Sequence, residues 1–131
     1  MPFTNGISIN SEIGKLKAVI LHRPGGELER LTPDYLEEML FDDIPWLKKM
    51  IEEHDGFAET LRSRGAEVYY IRDMLKDVLE MDGVKPRMIK ETLDLSGIEN
   101  PDRREAITHY LLELPTRDLV DKLITGLPKS D

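Results

Sequence analysis

The sequence predicts an α/β fold in which a strand-and-helix unit is followed by a small bundle of helices. Three observations carry this expectation. Leu16 to His22 and Glu67 to Ile71 are short runs rich in β-branched and aromatic residues. Between them, apolar residues recur at steps of three and four, the period of a helix with one covered face. Beyond Asp73 only the helical period continues. With 131 residues, 40% of them apolar, the chain is long enough for one modest domain, or one lobe of something larger, with a real core.

The first strand is Leu16 to His22 (LKAVILH), bounded by Gly14 and by Pro24-Gly25-Gly26. Thr32-Pro33-Asp34 opens a short helix running to about Leu40: Thr32 caps, Pro33 suits the first turn, and Asp34 favours the positive helix end. A longer helix follows Pro45, with Leu47, Ile51, His54, Phe57, Ala58 and Leu61 as its apolar stripe. Gly65 is placed to end it in a left-handed cap. Glu67 to Ile71 (EVYYI) is then a second strand, able to lie beside the first in one sheet.

Past Asp73 the spacing predicts four short helices. The first carries Met74, Leu75, Val78 and Leu79, and the second spans Lys85 to Leu93 with Met88, Ile89 and Leu93 on one side. Asn100-Pro101 opens the third, whose face is Ala106, Ile107, Tyr110 and Leu111. Thr116 caps the fourth, which bears Leu119, Val120, Leu123 and Ile124 and is stopped by Gly126 and Pro128. Short turns between short helices imply an antiparallel bundle. The change of period near Arg72 divides the chain into residues 1–72, a helical segment 73–127 and a tail 128–131.

Composition narrows the function classes. A net charge of −8 argues against a nucleic-acid surface, which needs a basic stripe. The longest apolar run, Ala18 to Leu21, is far short of the roughly 20 residues that span a bilayer. Met1 to Asn10 has neither a basic flank nor an apolar signal core, so a cytoplasmic protein without a membrane partner is the expectation. The absence of cysteine removes disulfides, thiolate metal sites and any thiol nucleophile from these residues.

Each candidate for chemistry has a structural rival. His22, His54 and His109 lie far apart, whereas a zinc site needs three or four convergent ligands. His54, on an apolar stripe, reads first as a packing or hydrogen-bonding residue and second as a functional titrating group. Phe41-Asp42-Asp43 sits between Leu40 and Ile44-Pro45. Its paired carboxylates could hold a cation or share a proton, but capping the next helix explains them more simply. Arg23-Pro24-Gly25-Gly26 lacks the lysine and full glycine pattern of a phosphate loop. Ser8 and Ser96-Gly97 have no nucleophile-elbow context. Lys85, Arg87 and Lys90 read as a solvated helix face. Taken residue by residue, the chain holds no complete active site.

The order of segments says more. Ser11-Glu12-Ile13-Gly14-Lys15-Leu16-Lys17 leads into Val19-Ile20-Leu21-His22-Arg23-Pro24-Gly25, then Leu31-Thr32-Pro33, Leu40-Phe41-Asp42-Asp43-Ile44-Pro45, and Glu53-His54-Asp55-Gly56-Phe57-Ala58. This series resembles the amino-terminal end of bacterial arginine deiminase, nearly continuously from about Ile9 to Arg72 and more loosely to about Gly126. The resemblance implies the pentein fold: this chain would be the first unit of a five-bladed α/β propeller plus a small inserted helical bundle. It further implies hydrolysis of L-arginine to L-citrulline and ammonia through a covalent cysteine intermediate, with no metal or organic cofactor. The family's nucleophilic cysteine and its first acidic substrate-binding motif are both missing here, so the chain looks like an amino-terminal piece, inactive alone. Leu40 matches a substrate-pocket leucine of the family; Phe41, Asp42 and Asp43 match the motif without an implied catalytic role. A unit that has lost its propeller neighbours is expected to self-associate, most simply as a two-fold dimer. The alternative reading is a non-catalytic interaction module that kept the fold without the chemistry.

Overall fold

The computed structural model describes residues 9–30 and 45–127. The helix expected over residues 32 to 40 lies outside them. Two strands, β1 (Ala18–Leu21) and β2 (Glu67–Tyr70), pair in parallel, with Ala18 opposite Glu67 and Leu21 opposite Tyr70. Each is four residues long, shorter than the apolar runs that predict them. β2 loses Ile71, which begins the next helix because Tyr70 already holds the extended conformation of a helix-capping residue.

Helix α1 (Leu47–Ser63) connects the strands and lies against β2. Its stripe is narrower than the spacing implies. Ala58 is fully covered, and a side chain this small lets the helix come close to its neighbours. Phe57, one residue further back, remains 54% exposed on the flank. Gly65, at φ +82, supplies the left-handed turn after α1, and Ala66 N–H donates to the Leu61 carbonyl at 3.1 Å before β2 begins.

Four helices follow: α2 (Ile71–Leu79), α3 (Val84–Leu95), α4 (Pro101–Glu113) and α5 (Thr116–Thr125). α3 packs on α4, and α2 packs on both α5 and α3. Their shared core is Leu79, Ile89, Leu93, Leu111, Leu119 and Val120, flanked by Leu75, Met88, Ile107 and Leu123. At the start of α4, Asn100 Oδ1 accepts from Arg103 N–H at 2.9 Å, and Pro101 takes the first helical position.

Three helical expectations are corrected. On α4, Ala106 and Tyr110 face outward; the inner face is Ile107 and Leu111, with Arg104 and Thr108 beside them half-buried. On α5, Pro115 occupies the capping position and Thr116 is already helical, because the extended Pro115 offers its carbonyl to Leu119 N–H at 2.9 Å. Lys85 is not a solvated side chain. Its ammonium donates to the carbonyls of Leu112 at 2.8 Å and Leu114 at 2.7 Å, closing the negative end of α4. Arg104 does the same for α3, donating to the Leu93 carbonyl at 2.7 Å and to Asp94. Among the described residues, no helix is long and apolar enough to cross a membrane.

Candidate functional site

Where parallel strands end, the chain leaves the sheet and side chains from several elements converge, the usual position for chemistry in an α/β protein. Here β1 ends into His22 and Arg23, and β2 ends into Arg72 in the first turn of α2. The Arg23 guanidinium grips Asp55 of α1 with two parallel hydrogen bonds, Nε to Oδ1 and Nη2 to Oδ2, both 2.7 Å. Those bonds hold the Asp55 carboxyl below the ordinary carboxylate range, and in return keep Arg23 charged to still higher pH.

Glu27 organises the loop itself. Its Oε1 accepts from His22 Nε2 at 2.8 Å and from Gly25 N–H at 2.8 Å. Burial pushes the Glu27 carboxyl up, but the backbone amides of Glu27 and Gly25 and the His22 side chain together outweigh it, so Glu27 ionises below its ordinary value. Its other oxygen, Oε2, is covered and makes no hydrogen bond among the described residues. The loop closes with a 3-10 turn over Leu28–Arg30, where Leu28 N–H donates to the Gly25 carbonyl at 3.1 Å.

Helical residues reach the same end of the sheet. Arg72 donates to Asp121 of α5, and Arg30 Nη1 donates to the Gly126 carbonyl at 2.7 Å. The His54 ring lies 6.0 Å from the Tyr70 ring in a tilted stack, and the Arg62 guanidinium lies over the Tyr70 ring at 5.8 Å. His54 Nδ1 is covered and 3.8 Å from Asp55 Oδ1, too far for a hydrogen bond. The ring is seated beside Tyr70 and not hydrogen-bonded to Asp55.

Of the residues that the sequence singles out, Leu40, Phe41, Asp42 and Asp43, with Ser8, lie outside the described residues. The Arg23-Pro24-Gly25-Gly26 loop is no phosphate cradle, since the Gly25 amide is taken by a carboxylate. Ser96 Oγ donates to the Leu93 carbonyl at 2.8 Å and finishes a helix. His109 stays exposed, 3.6 Å from Glu113. No group of three or more histidine, aspartate or glutamate side chains among the described residues could hold a metal ion. Glu27, Arg72 and Asp121 escape a reading by motif, and the motif containing Asp55 does not reveal its partner, because each acquires its role only from a residue distant in the chain or across a turn. What the arrangement does chemically is bind arginine side chains to carboxylates and shape a loop; it contains no thiol.

Comparison with known proteins gives the cluster its context. A family model described as arginine deiminase matches residues 37–130. The arginine deiminase of Lactococcus lactis subsp. cremoris (strain MG1363) is 45% identical over 128 residues, which is 97% of this chain and 31% of that protein. That of Clostridium perfringens (strain SM101 / Type A) is 45% identical over 127 residues, 95% of this chain and 31% of that protein. That of Borrelia duttonii (strain Ly) is 41% identical over 132 residues, covering all of this chain and 32% of that protein. The chain therefore spans about a third of the length of the curated relatives it matches.

Proposed function

The chain belongs to the arginine deiminase family, and from that premise we propose that it forms part of an enzyme hydrolysing L-arginine to L-citrulline and ammonia. The observation that carries this reading is sequence agreement with arginine deiminases along nearly the whole chain, over only 31% of their length. In this reading the chain is the amino-terminal unit of a pentein propeller, residues 1–72, with a helical insertion at 73–127 and a short tail at 128–131. The assembled enzyme is cytoplasmic, oligomeric and free of cofactors.

Attack on a resonance-stabilised guanidinium carbon needs an activated nucleophile. This chain has no cysteine, so the nucleophile comes from elsewhere in the enzyme and the chain alone forms no citrulline. Its own contribution is shape. Leu40 offers neither proton nor charge; it excludes water and fixes the carbon chain of arginine. Phe41, Asp42 and Asp43 match the family motif next to Leu40 and take no assigned role on substrate; Trp46, not an aspartate, occupies the capping position of α1. The bonds of Glu27 and Arg23 hold the loop leaving β1.

A chimera tests this. The 128 matched residues of the Lactococcus lactis enzyme are replaced by those of this chain, and citrulline is assayed for the chimera and for the chain alone. Citrulline from the chimera and none from the chain is the expected result. A folded but inactive chimera, or turnover by the chain alone, would overturn the reading. Leu40→Ala in the chimera raises KM for arginine, by no more than a few kcal/mol of lost binding on the scale of leucine truncations.

A further inference from the structure

A hydrogen bond ties the loop after β1 to the end of α5, and the α2 side chain Arg72 lies near both the loop and α5. Arg72 donates to Asp121 on α5. Its Nη2 also lies 3.4 Å from where a Cβ on Gly25 would be, and Glu27 Oε2 lies 2.9 Å from that same point. The guanidinium thus lies near Gly25, and through its Nη1 it holds Asp121 of α5. A second contact runs in parallel, from Arg30 Nη1 to the Gly126 carbonyl just past the end of α5. Between the two, Thr125 Cγ2 lies 3.7 Å from where a Cβ on Gly26 would be, so the end of α5 leaves no open space there. The polar bonds that His22, Gly25 and Arg23 make stay within the strand-and-helix portion.

We infer that Arg72 and Asp121 clasp α5 onto the loop that leaves β1, so that the helical portion sets the path of the chain from Gly25 to Arg30. The two side chains are 39% and 44% exposed, so the clasp is electrostatic, modest and sensitive to salt. It makes the loop's conformation answer to the seating of a much later helix, since Arg30 and Gly126 are 96 residues apart in the chain. This inference stands on contacts within the chain and does not depend on the arginine reaction.

Amide hydrogen exchange on the 131-residue chain tests it, with Leu28 N–H as reporter because it is bonded to the Gly25 carbonyl. Asp121→Asn and Arg72→Met each speed exchange at Leu28 by about two- to fivefold, the scale of one half-exposed ion pair. The double variant is no faster than either single variant, and Asp121→Glu, which keeps the carboxylate, holds the original rate. Added salt speeds Leu28 exchange in the parent chain and leaves the Asp121→Asn chain unchanged. Unaltered exchange in Asp121→Asn, or effects that add in the double variant, would overturn the clasp. Should Arg72→Met also loosen the Ile89 and Leu111 amides, Asp121→Asn decides alone, since it is isosteric and its site is half-exposed.

Discussion

The strand-and-helix portion and the helical portion are stabilised in different ways. Among the described residues, six of the eight buried apolar side chains are leucine, isoleucine or valine on α2 to α5; the other two are Ala58 and Ala66. Burial of whole aliphatic side chains is worth about 1.5 to 3 kcal/mol each, so α2 to α5 hold most of the hydrophobic stabilisation of the described structure. The sheet portion has a parallel ladder, an arginine fork on Asp55 and a carboxylate-organised loop, with Ile20 47% exposed on β1. Its two strands supply backbone bonds but no complete core. The difference teaches that regular secondary structure and a covered interior are separate properties: among the described residues, one portion carries its own interior, while the other leaves more of its apolar side chains exposed.

Paired substitutions measure that difference. Ile89→Ala, at a fully covered position, costs about 2 to 5 kcal/mol in denaturant unfolding. Val68→Ala, on a half-covered strand, costs only about 1 kcal/mol. Equal losses would mean that the two portions share one core after all. A smaller effect is expected at the turn feeding β2. Gly65→Ala forces a side chain onto φ +82 and costs about 1 to 2 kcal/mol, seen first as faster exchange of Glu67 N–H, which bonds the Lys17 carbonyl. If the loss appeared equally at Ile89, the sheet and helices would be one cooperative unit.

Acid gives the smallest effect and the most local one. Glu27 and Asp55 both ionise below their ordinary values in the folded chain. Such groups contribute stability that is fully present above the unfolded carboxylate pKa and is lost as pH falls through the lower folded value. Acidification from neutral pH therefore releases the Gly25 and Leu28 amides before those of Ile89 and Leu111, whose surroundings are apolar. Exchange measured across an acid series checks the order. Simultaneous release would remove the two carboxylates as the local supports.

How much of this was legible in the sequence follows from the range of each interaction. Helices α1 to α5 could be read because their apolar spacing is local and repeats within every turn. Asn100-Pro101 named its own role, because a cap and a first-turn proline act within three residues. Ile71 misled, since a β-branched residue after a strand looks like more strand until the chain turns. Phe57 misled by one position round the helix. Lys85 read as solvated because its partners, the Leu112 and Leu114 carbonyls, lie at the end of another helix. The strand-end cluster was invisible for the same reason: Arg23 to Asp55 and Arg72 to Asp121 are meetings that only the fold arranges. The family was legible from segment order, which survives without any knowledge of contacts.

The parallel register of β1 and β2 also fixes an order of events. Ala18 meets Glu67 across roughly fifty intervening residues, so the first strand finds its partner only after a large loop has closed. The pairings of α2 with α3 and of α3 with α4 close much shorter loops, and nearby contacts form sooner. On a ribosome, β1 emerges and waits with its backbone unpaired while the whole of α1 is made. For that interval Val19, Ile20 and Leu21 are an apolar strand edge without its partner.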